Sequence, residues 1–333
     1  MSKESARKSY RHSLQMLFLL FLVVGTVLIL LRRCHAPIQE NEGPVFGTYY
    51  HIKYQSPTDL HDAIRSELKR VDASLSLFNK ESQLSKVNLG QSDRADALMA
   101  EVLSLAHRVS VETEGSFDVT VAPLVNAWGF GTETERSLSQ AQIDSLLAFV
   151  GYDKISLSGH TVVKADPRVQ IDCGAIAKGY AVDRIARLLK EQRVENFMIE
   201  IGGEIVAHGR NAEGELWRIG IEQPNDDVTA DALQTIIEMQ DGAVATSGNY
   251  RNFYYKDGQK IAHTIDPRTG QPVVRTLLSA TVLAPTCAEA DAYATALMVM
   301  GTEKAREFLK NNPRLTAYLI VAEGDNLKME RIN

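Results

Sequence analysis

Four short runs carry residue types able to do chemistry. Ile171-Asp-Cys-Gly-Ala-Ile-Ala-Lys-Gly-Tyr-Ala-Val-Asp183 sets Asp172 and Lys178 on either side of Gly174, where a short strand is expected to run into a helix. A helix start presents unpaired N–H groups and positive potential, which suit a phosphate. The run is neither a P-loop nor a dinucleotide fingerprint, and taken alone its simpler reading is that Asp172 caps the helix and Lys178 is solvated. In Ala290-Asp-Ala-Tyr-Ala-Thr-Ala-Leu297, Asp291 and Thr295 are four apart and share one helix face. A carboxylate beside a hydroxyl offers Mg²⁺ two hard oxygen ligands, a sparse set that would serve equally for hydrogen bonds to neighbours. His263-Thr-Ile-Asp-Pro-Arg-Thr-Gly270 puts a histidine ahead of a tight turn, where it is a general base or a satisfied structural residue. Ala245-Thr-Ser-Gly-Asn-Tyr250 is small and polar and reads as a turn. Gly115-Ser-Phe-Asp-Val-Thr-Val121 and Trp128-Gly-Phe-Gly131 set aromatic rings beside flexible backbone, suited to stacking a planar ring or to filling a core.

The elements that must position these runs follow from hydrophobic spacing. Asp59 can cap a helix with Leu60, Ile64, Leu68 and Val71 on one stripe. A second helix starts near Ala95, carries Leu98, Val102, Leu105 and Val109, and ends at Gly115; a third follows Ser139; a fourth runs from about Ala175 towards Gln192. The second half reads as strands at Phe197–Ile201, Leu216–Ile221, Thr235–Met239, Phe253–Tyr255 and Leu278–Leu283. Helices at Ala288–Met300 and Thr302–Leu309 and a last strand around Ala317–Val321 complete it. Strands in succession predict mixed or antiparallel sheets with flanking helices, an α+β fold, rather than regular βαβ winding.

Composition excludes little beyond disorder: 44% of the 333 residues are hydrophobic and 23% charged. The net charge of -6, with no stretch that gathers Lys and Arg among aromatics, excludes nucleic acid as a partner. Cys34, Cys173 and Cys287 are too few and too widely spaced for a disulfide framework or a zinc site, and the last two read as small buried apolar residues.

The N-terminus is more informative. Lys3, Arg7, Lys8 and Arg11 precede an uncharged run from Leu14 to Leu31, closed by Arg32 and Arg33. At 1.5 Å per residue such a helix would be roughly 27 Å long, close to a bilayer's hydrocarbon core. A cleaved signal peptide would have a shorter apolar region ending in small residues, and lipidation of Cys34 would want small residues before it; two arginines stand there instead. The expected layout is therefore a cytoplasmic segment 1–13, a membrane span 14–31, a polar linker 32–43 and one folded domain 44–333 on the far side. That makes a single-pass inner-membrane protein with its bulk in the periplasm.

The order of short motifs along the chain is specific. Phe46-Gly-Thr48, Ser76-Leu-Phe78, Phe117-Asp-Val-Thr-Val121, Trp128-Gly-Phe-Gly131, Asp172-Cys-Gly-Ala-Ile-Ala-Lys-Gly179, Ile201-Gly-Gly-Glu-Ile205, Ala245-Thr-Ser-Gly248, His263 to Gly270 and Ala290 to Ala296 together resemble the ApbE family of FAD:protein FMN transferases, from residue 45 to about 305. The resemblance implies an ApbE-like, T-fold-related domain that moves FMN from FAD to a Thr or Ser hydroxyl of an acceptor protein and releases AMP, with Mg²⁺ as cofactor. It implies FAD contacts at Phe46, Phe78, Phe117, Asp118, Val119, Asp172, Lys178 and Ile265, and Mg²⁺ held by the Ala175 carbonyl, Asp291 and Thr295, with Ala294 adjoining. Three positions depart from the family's habit: Phe46 where Met is common, Ala294 where a second acid is common, and Cys173 where Leu is usual. His263 and Asp172 are both candidates for taking the hydroxyl proton, and the sequence does not choose between them. The acceptors implied are subunits of membrane electron-transfer complexes. Two other readings remain: an FAD pyrophosphatase that uses water instead of the acceptor hydroxyl, and a carrier that keeps FAD intact.

Overall fold

The computed structural model describes residues 3–34, 36–130, 138–222, 233–249, 253–256, 259–324 and 326–333. Gly131 and Tyr250, which close two of the motifs above, lie outside the described residues. From the N-terminus, α1 (Lys3–Cys34) leads to the hairpin β1 (Ile38–Val45) and β2 (Thr48–Gln55), then α2 (His61–Leu75), α3 (Gln83–Asn88), α4 (Ala97–Glu112), α5 (Ala122–Ala127) and α6 (Gln140–Leu147). A ribbon of β3 (Ile155–Ser158) and β4 (Thr161–Lys164) precedes α7 (Ala177–Glu191) and the hairpin β5 (Phe197–Ile201) and β6 (Glu204–His208). Then come β7 (Trp217–Glu222), β8 (Leu233–Met239), β9 (Gly242–Gly248), β10 (Phe253–Lys256), β11 (Gln259–Ala262), β12 (Leu277–Ala284), α8 (Cys287–Met300), α9 (Thr302–Asn311), β13 (Thr316–Glu323) and β14 (Asn326–Ile332).

Eight strands form one sheet in the order β1-β2-β5-β6-β9-β12-β13-β14, antiparallel at every pairing. Successive side chains of a strand point to opposite faces, and here each face has its own cover. Val206, Ala243, Ala245, Ala280, Val282, Ala317 and Leu319 pack on the helical side with α4, α7 and α8. Their alternates Ala207, Val244 and Ile320 meet Trp217, Ile219, Ile221, Ile237 and Met239 of the β7–β8 hairpin. The α+β expectation holds, as a helical layer, a central antiparallel sheet and a hairpin cover.

The local signals explain the helices. Ile64, Leu68, Val71 and Leu75 of α2 are buried on one stripe. Asp96 caps α4 by accepting the Met99 N–H, and Ser139 and Gln142 form a capping box on α6. α8 differs: every residue but Thr295 is buried, because the helix runs between the sheet and α4 and α7.

Three expectations are corrected. Ala245–Gly248 is no turn but the end of β9, paired with Ser279–Val282 of β12; Ala245 is small where α8 packs on the strand. The segment read as a polar linker contains β1, whose residues from Ile38 pair in register with β2 up to Gln55. No strand leads into α7, which begins at Ala177 rather than near Gly174; Asp172 N–H donates to the Val119 carbonyl and holds the preceding chain extended. Among the described residues, which include the apolar side chains of α1 from Leu14 to Ile29, no helix is long and apolar enough to cross a membrane.

Candidate active site

Between the sheet, α7, α8 and the loops before α5 and β12 lies a cavity of about 680 Å³. Its walls come from eight separate stretches of sequence, among them Leu77–Phe78 after α2 and Gly220 and Glu222 of β7. α8 presents Asp291, Thr295 and Val299, one turn apart on a single face; Thr295 is the one residue of that helix left partly exposed because it looks into the cavity. The start of α7 and the chain before it contribute Asp172, Gly174, Ala175 and Lys178. The β5–β6 turn contributes Glu200 and Gly202 to Glu204, β9 contributes Thr246 to Gly248, and Ser116 to Val119 with His263 to Ile265 close the loop side.

Helices α7 and α8 hold one another by exchanged hydrogen bonds. Gly179 N–H donates to Asp291 Oδ2 at 3.1 Å, while the Cys287 and Ala288 N–H groups at the start of α8 donate to Asp183 Oδ1 and Oδ2, each at 2.8 Å. The approach is so close that a Cβ on Gly179 would stand 2.3 Å from the Cys287 carbonyl oxygen, so only glycine fits. Asp183 thereby satisfies two orphan donors of a buried helix end. Burial pushes its carboxyl up to about 6, against the opposing pull of those N–H groups.

Glu204 is the residue that sequence reasoning missed. Gly202 and Gly203, both at positive φ (60° and 101°), make the two-residue turn that lets β5 return as β6, and Glu204 follows at once. It is 2% exposed; its Oε1 lies 2.5 Å from Lys178 Nζ, while Oε2 is buried without a hydrogen-bond partner. Burial and the nearby Asp291 push the Glu204 carboxyl up to about 8, against the lowering effect of Lys178. Burial likewise raises Asp291, against Lys178 and the Gly179 N–H. Burial pulls the Lys178 ammonium down, but Asp291 and Glu204 together leave it raised. Two buried carboxyls thus share one ammonium, so that the second ionises only at a cost.

That donor set fits a small hard cation. Asp291, Thr295 and Ala175 line the same cavity, and Glu204 leaves one carboxyl oxygen there without a partner. Among the described residues no group of three His, Cys, Asp or Glu could hold a metal unaided. Mg²⁺ does not need one, since it keeps waters and takes substrate phosphates as ligands. Ala294 is buried in the core, not among the cavity residues.

The remaining candidates divide. Phe117, Asp118, Val119 and Ile265 line the cavity, and Phe78 stands at its mouth, 79% exposed. Asp118 spends Oδ1 on the Thr120 N–H and hydroxyl; burial raises it against those bonds. Asp172 does not cap α7. Its Oδ1 takes the Gly174 N–H instead, and burial raises it. His263 packs edge-on against Phe130, ring centroids 6.3 Å apart, and both face the cavity. Phe46 is not brought to the site: it sits at the β1–β2 turn with φ 49° and faces a separate cleft beside Tyr50, His61 and Arg65.

Comparison with known proteins agrees with this geometry. The model of the ApbE family matches residues 46–319. The chain is 38% identical over 321 residues to the FAD:protein FMN transferase of Vibrio cholerae, covering 92% of this chain and 95% of that protein. It is 40% identical over 297 residues to that of Haemophilus influenzae, covering 84% and 85%. The solved flavin transferase ApbE from Vibrio cholerae superposes with a TM-score of 0.81 at 38% identity, over 89% of this chain and 98% of that one. The extent of these matches, together with the same motifs meeting around one cavity, shows that the chain belongs to the ApbE family.

Proposed function

We propose that this chain is an FAD:protein FMN transferase, which moves FMN from FAD to a Thr or Ser hydroxyl of an acceptor protein and releases AMP with the help of Mg²⁺. The observation that carries the reading is the meeting of a buried charged cluster, Lys178, Glu204 and Asp291, with an aromatic-lined mouth in a single cavity. A diphosphate needs the first and a flavin or adenine ring the second.

The acceptor oxygen forms a bond to the FMN-side phosphorus, the bond from that phosphorus to the bridging oxygen breaks, and AMP leaves with the bridging oxygen. Such transfer depends on positioning and charge neutralisation more than on covalent help from the protein. Lys178 Nζ is sited to pair with a diphosphate oxygen, and the N–H groups in the first turn of α7 add positive potential on the same side. Asp172 and His263 both reach the cavity; whichever meets the acceptor hydroxyl takes its proton. Phe78, Phe117 and Ile265 supply apolar surface for the rings, flanked by Asp118 and Val119. Mg²⁺, held by Asp291, Thr295 and the Ala175 carbonyl, would supply Lewis-acid neutralisation of the diphosphate oxygens.

In the same reading, residues 14–31 anchor the enzyme as a single span in the inner membrane. The uncharged run and the exposed apolar side chains of α1 support this. The catalytic domain, counted from 44 in sequence and including β1 from Ile38 in the fold, then lies in the periplasm, where the four leading positive charges would leave it. Acceptor subunits of membrane electron-transfer complexes share that face, and tethering raises the encounter rate. The test is to incubate the enzyme and Asp291→Ala with FAD, Mg²⁺ and a Thr-containing acceptor peptide. FMN attachment by the unaltered chain and its loss in the variant are expected; equal attachment by both would remove Asp291 from the site.

A further inference from the structure

We infer that Glu204 is a cation ligand, supplying the second carboxylate of the metal site from the start of β6, in the cavity that Asp291 also lines. The inference rests on the Mg²⁺ reading above and extends it to a residue on a different element. α8 provides only one carboxylate to the cavity, Asp291, and one of its oxygens is already occupied by the Gly179 N–H. Glu204 lines the same cavity at 2% exposure, with Oε1 on Lys178 and Oε2 without any hydrogen-bond partner.

A clamp for Lys178 would account for Oε1 but not for Oε2. A carboxylate oxygen shut away from water and left unpaired is costly, and buried carboxylates persist where a cation or a donor completes them. No donor among the described residues reaches Oε2. The ammonium of Lys178 stands where it partly satisfies both carboxylates, so it competes with an incoming cation for them. Two carboxylates, a hydroxyl, a carbonyl and diphosphate oxygens make the hard, mostly anionic set that Mg²⁺ and Mn²⁺ prefer.

The competition gives two substitutions opposite effects. Mn²⁺ binding to the full-length chain in detergent, without nucleotide, is followed by the electron paramagnetic resonance of the free ion. Glu204→Gln keeps the size of the side chain and an oxygen for Lys178, yet is expected to weaken Mn²⁺ binding at least tenfold. Asp291→Asn is expected to weaken it comparably. Lys178→Met removes the competing ammonium and is expected to tighten binding several-fold. Unchanged Mn²⁺ affinity in Glu204→Gln beside a loss in Asp291→Asn would show that Glu204 only clamps the lysine, and would overturn the inference alone. Absence of Mn²⁺ binding by the unaltered chain would overturn the metal reading and the inference together. Should Glu204→Gln fail to fold, the Lys178→Met background decides: weaker Mn²⁺ binding when Glu204→Gln is added there supports the role, and unchanged binding refutes it.

Discussion

The α7–α8 end of the cavity and its loop end are built on opposite plans. At the first, Glu204 and Asp291 are buried, Asp291 is fixed by the Gly179 N–H, and Asp183 locks the start of α8 with two more N–H groups. At the second, Phe78 stands 79% exposed on the chain after α2, and Phe130 meets His263 edge-on at 6.3 Å. Charge that must be stabilised in a transition state is served by groups fixed beforehand, since reorganising them during reaction costs rate. Planar rings stack on either face and tolerate a mobile partner. A rigid end for the diphosphate and an adaptable end for flavin, adenine and acceptor follows from that difference.

Removing charge from the rigid end should do the most damage. Asp291→Ala is expected to lower FMN transfer on the order of 10²–10³-fold, read as kcat with FAD in excess. Disturbing its scaffold comes next. Gly179→Ala forces a Cβ to 2.3 Å from the Cys287 carbonyl oxygen, and overpacking of this kind should lower Tm by roughly 2–12 °C. Asp183→Asn keeps one acceptor where two N–H groups need one each, and its expected cost is about 1–3 kcal/mol in denaturant unfolding.

The pH effect that bears on the cation belongs to the rigid end. The Glu204 carboxyl, pushed up to about 8 by burial and Asp291, binds its proton more tightly folded than unfolded, where its value is about 4.3. Its contribution to stability is full below about pH 4.3 and is lost as pH rises through about 8. A divalent cation needs the ionised carboxylates, so the rise in Tm on adding Mg²⁺ should be larger at pH 9 than at pH 6. Equal increments at the two pH values would separate Glu204 from the cation. The smallest effect belongs to the adaptable end: Phe78→Ala should raise KM for FAD about 2–10-fold and leave kcat nearly unchanged.

Much of the helical layer was legible because amphipathic spacing is local: the stripe of α2, the start of α4 near Ala95 and that of α6 after Ser139 are written within a few residues, whereas Asp59, expected to cap α2, stands one residue before its N-cap Leu60. β9 was not, since its Ala-Thr-Ser-Gly composition imitates a turn and its Ala245 reflects close packing by α8, a partner 40 residues away in sequence. β1 was hidden by its polar residues and Pro44, which an edge strand tolerates. In the site, Asp172, Lys178, Asp291 and Thr295 share the cavity expected of them. Glu204 was present in the quoted Ile201–Ile205 motif, but nothing local ties it to Lys178; the Gly-Gly turn before it was the available signal. Phe46, chosen by motif order, faces another cleft because the β1–β2 turn points it towards α2.

The most direct measurement of the central claim is a stoichiometry. The chain is incubated with FAD, Mg²⁺ and a Thr-containing acceptor, and AMP, free FMN and flavin-linked acceptor are counted by mass spectrometry. The expected result is one AMP for each flavin-linked acceptor, little free FMN, and the loss of both products in Asp291→Ala. AMP and free FMN appearing without linked acceptor would make the chain a pyrophosphatase, and FAD recovered intact would make it a carrier; either contradicts transfer.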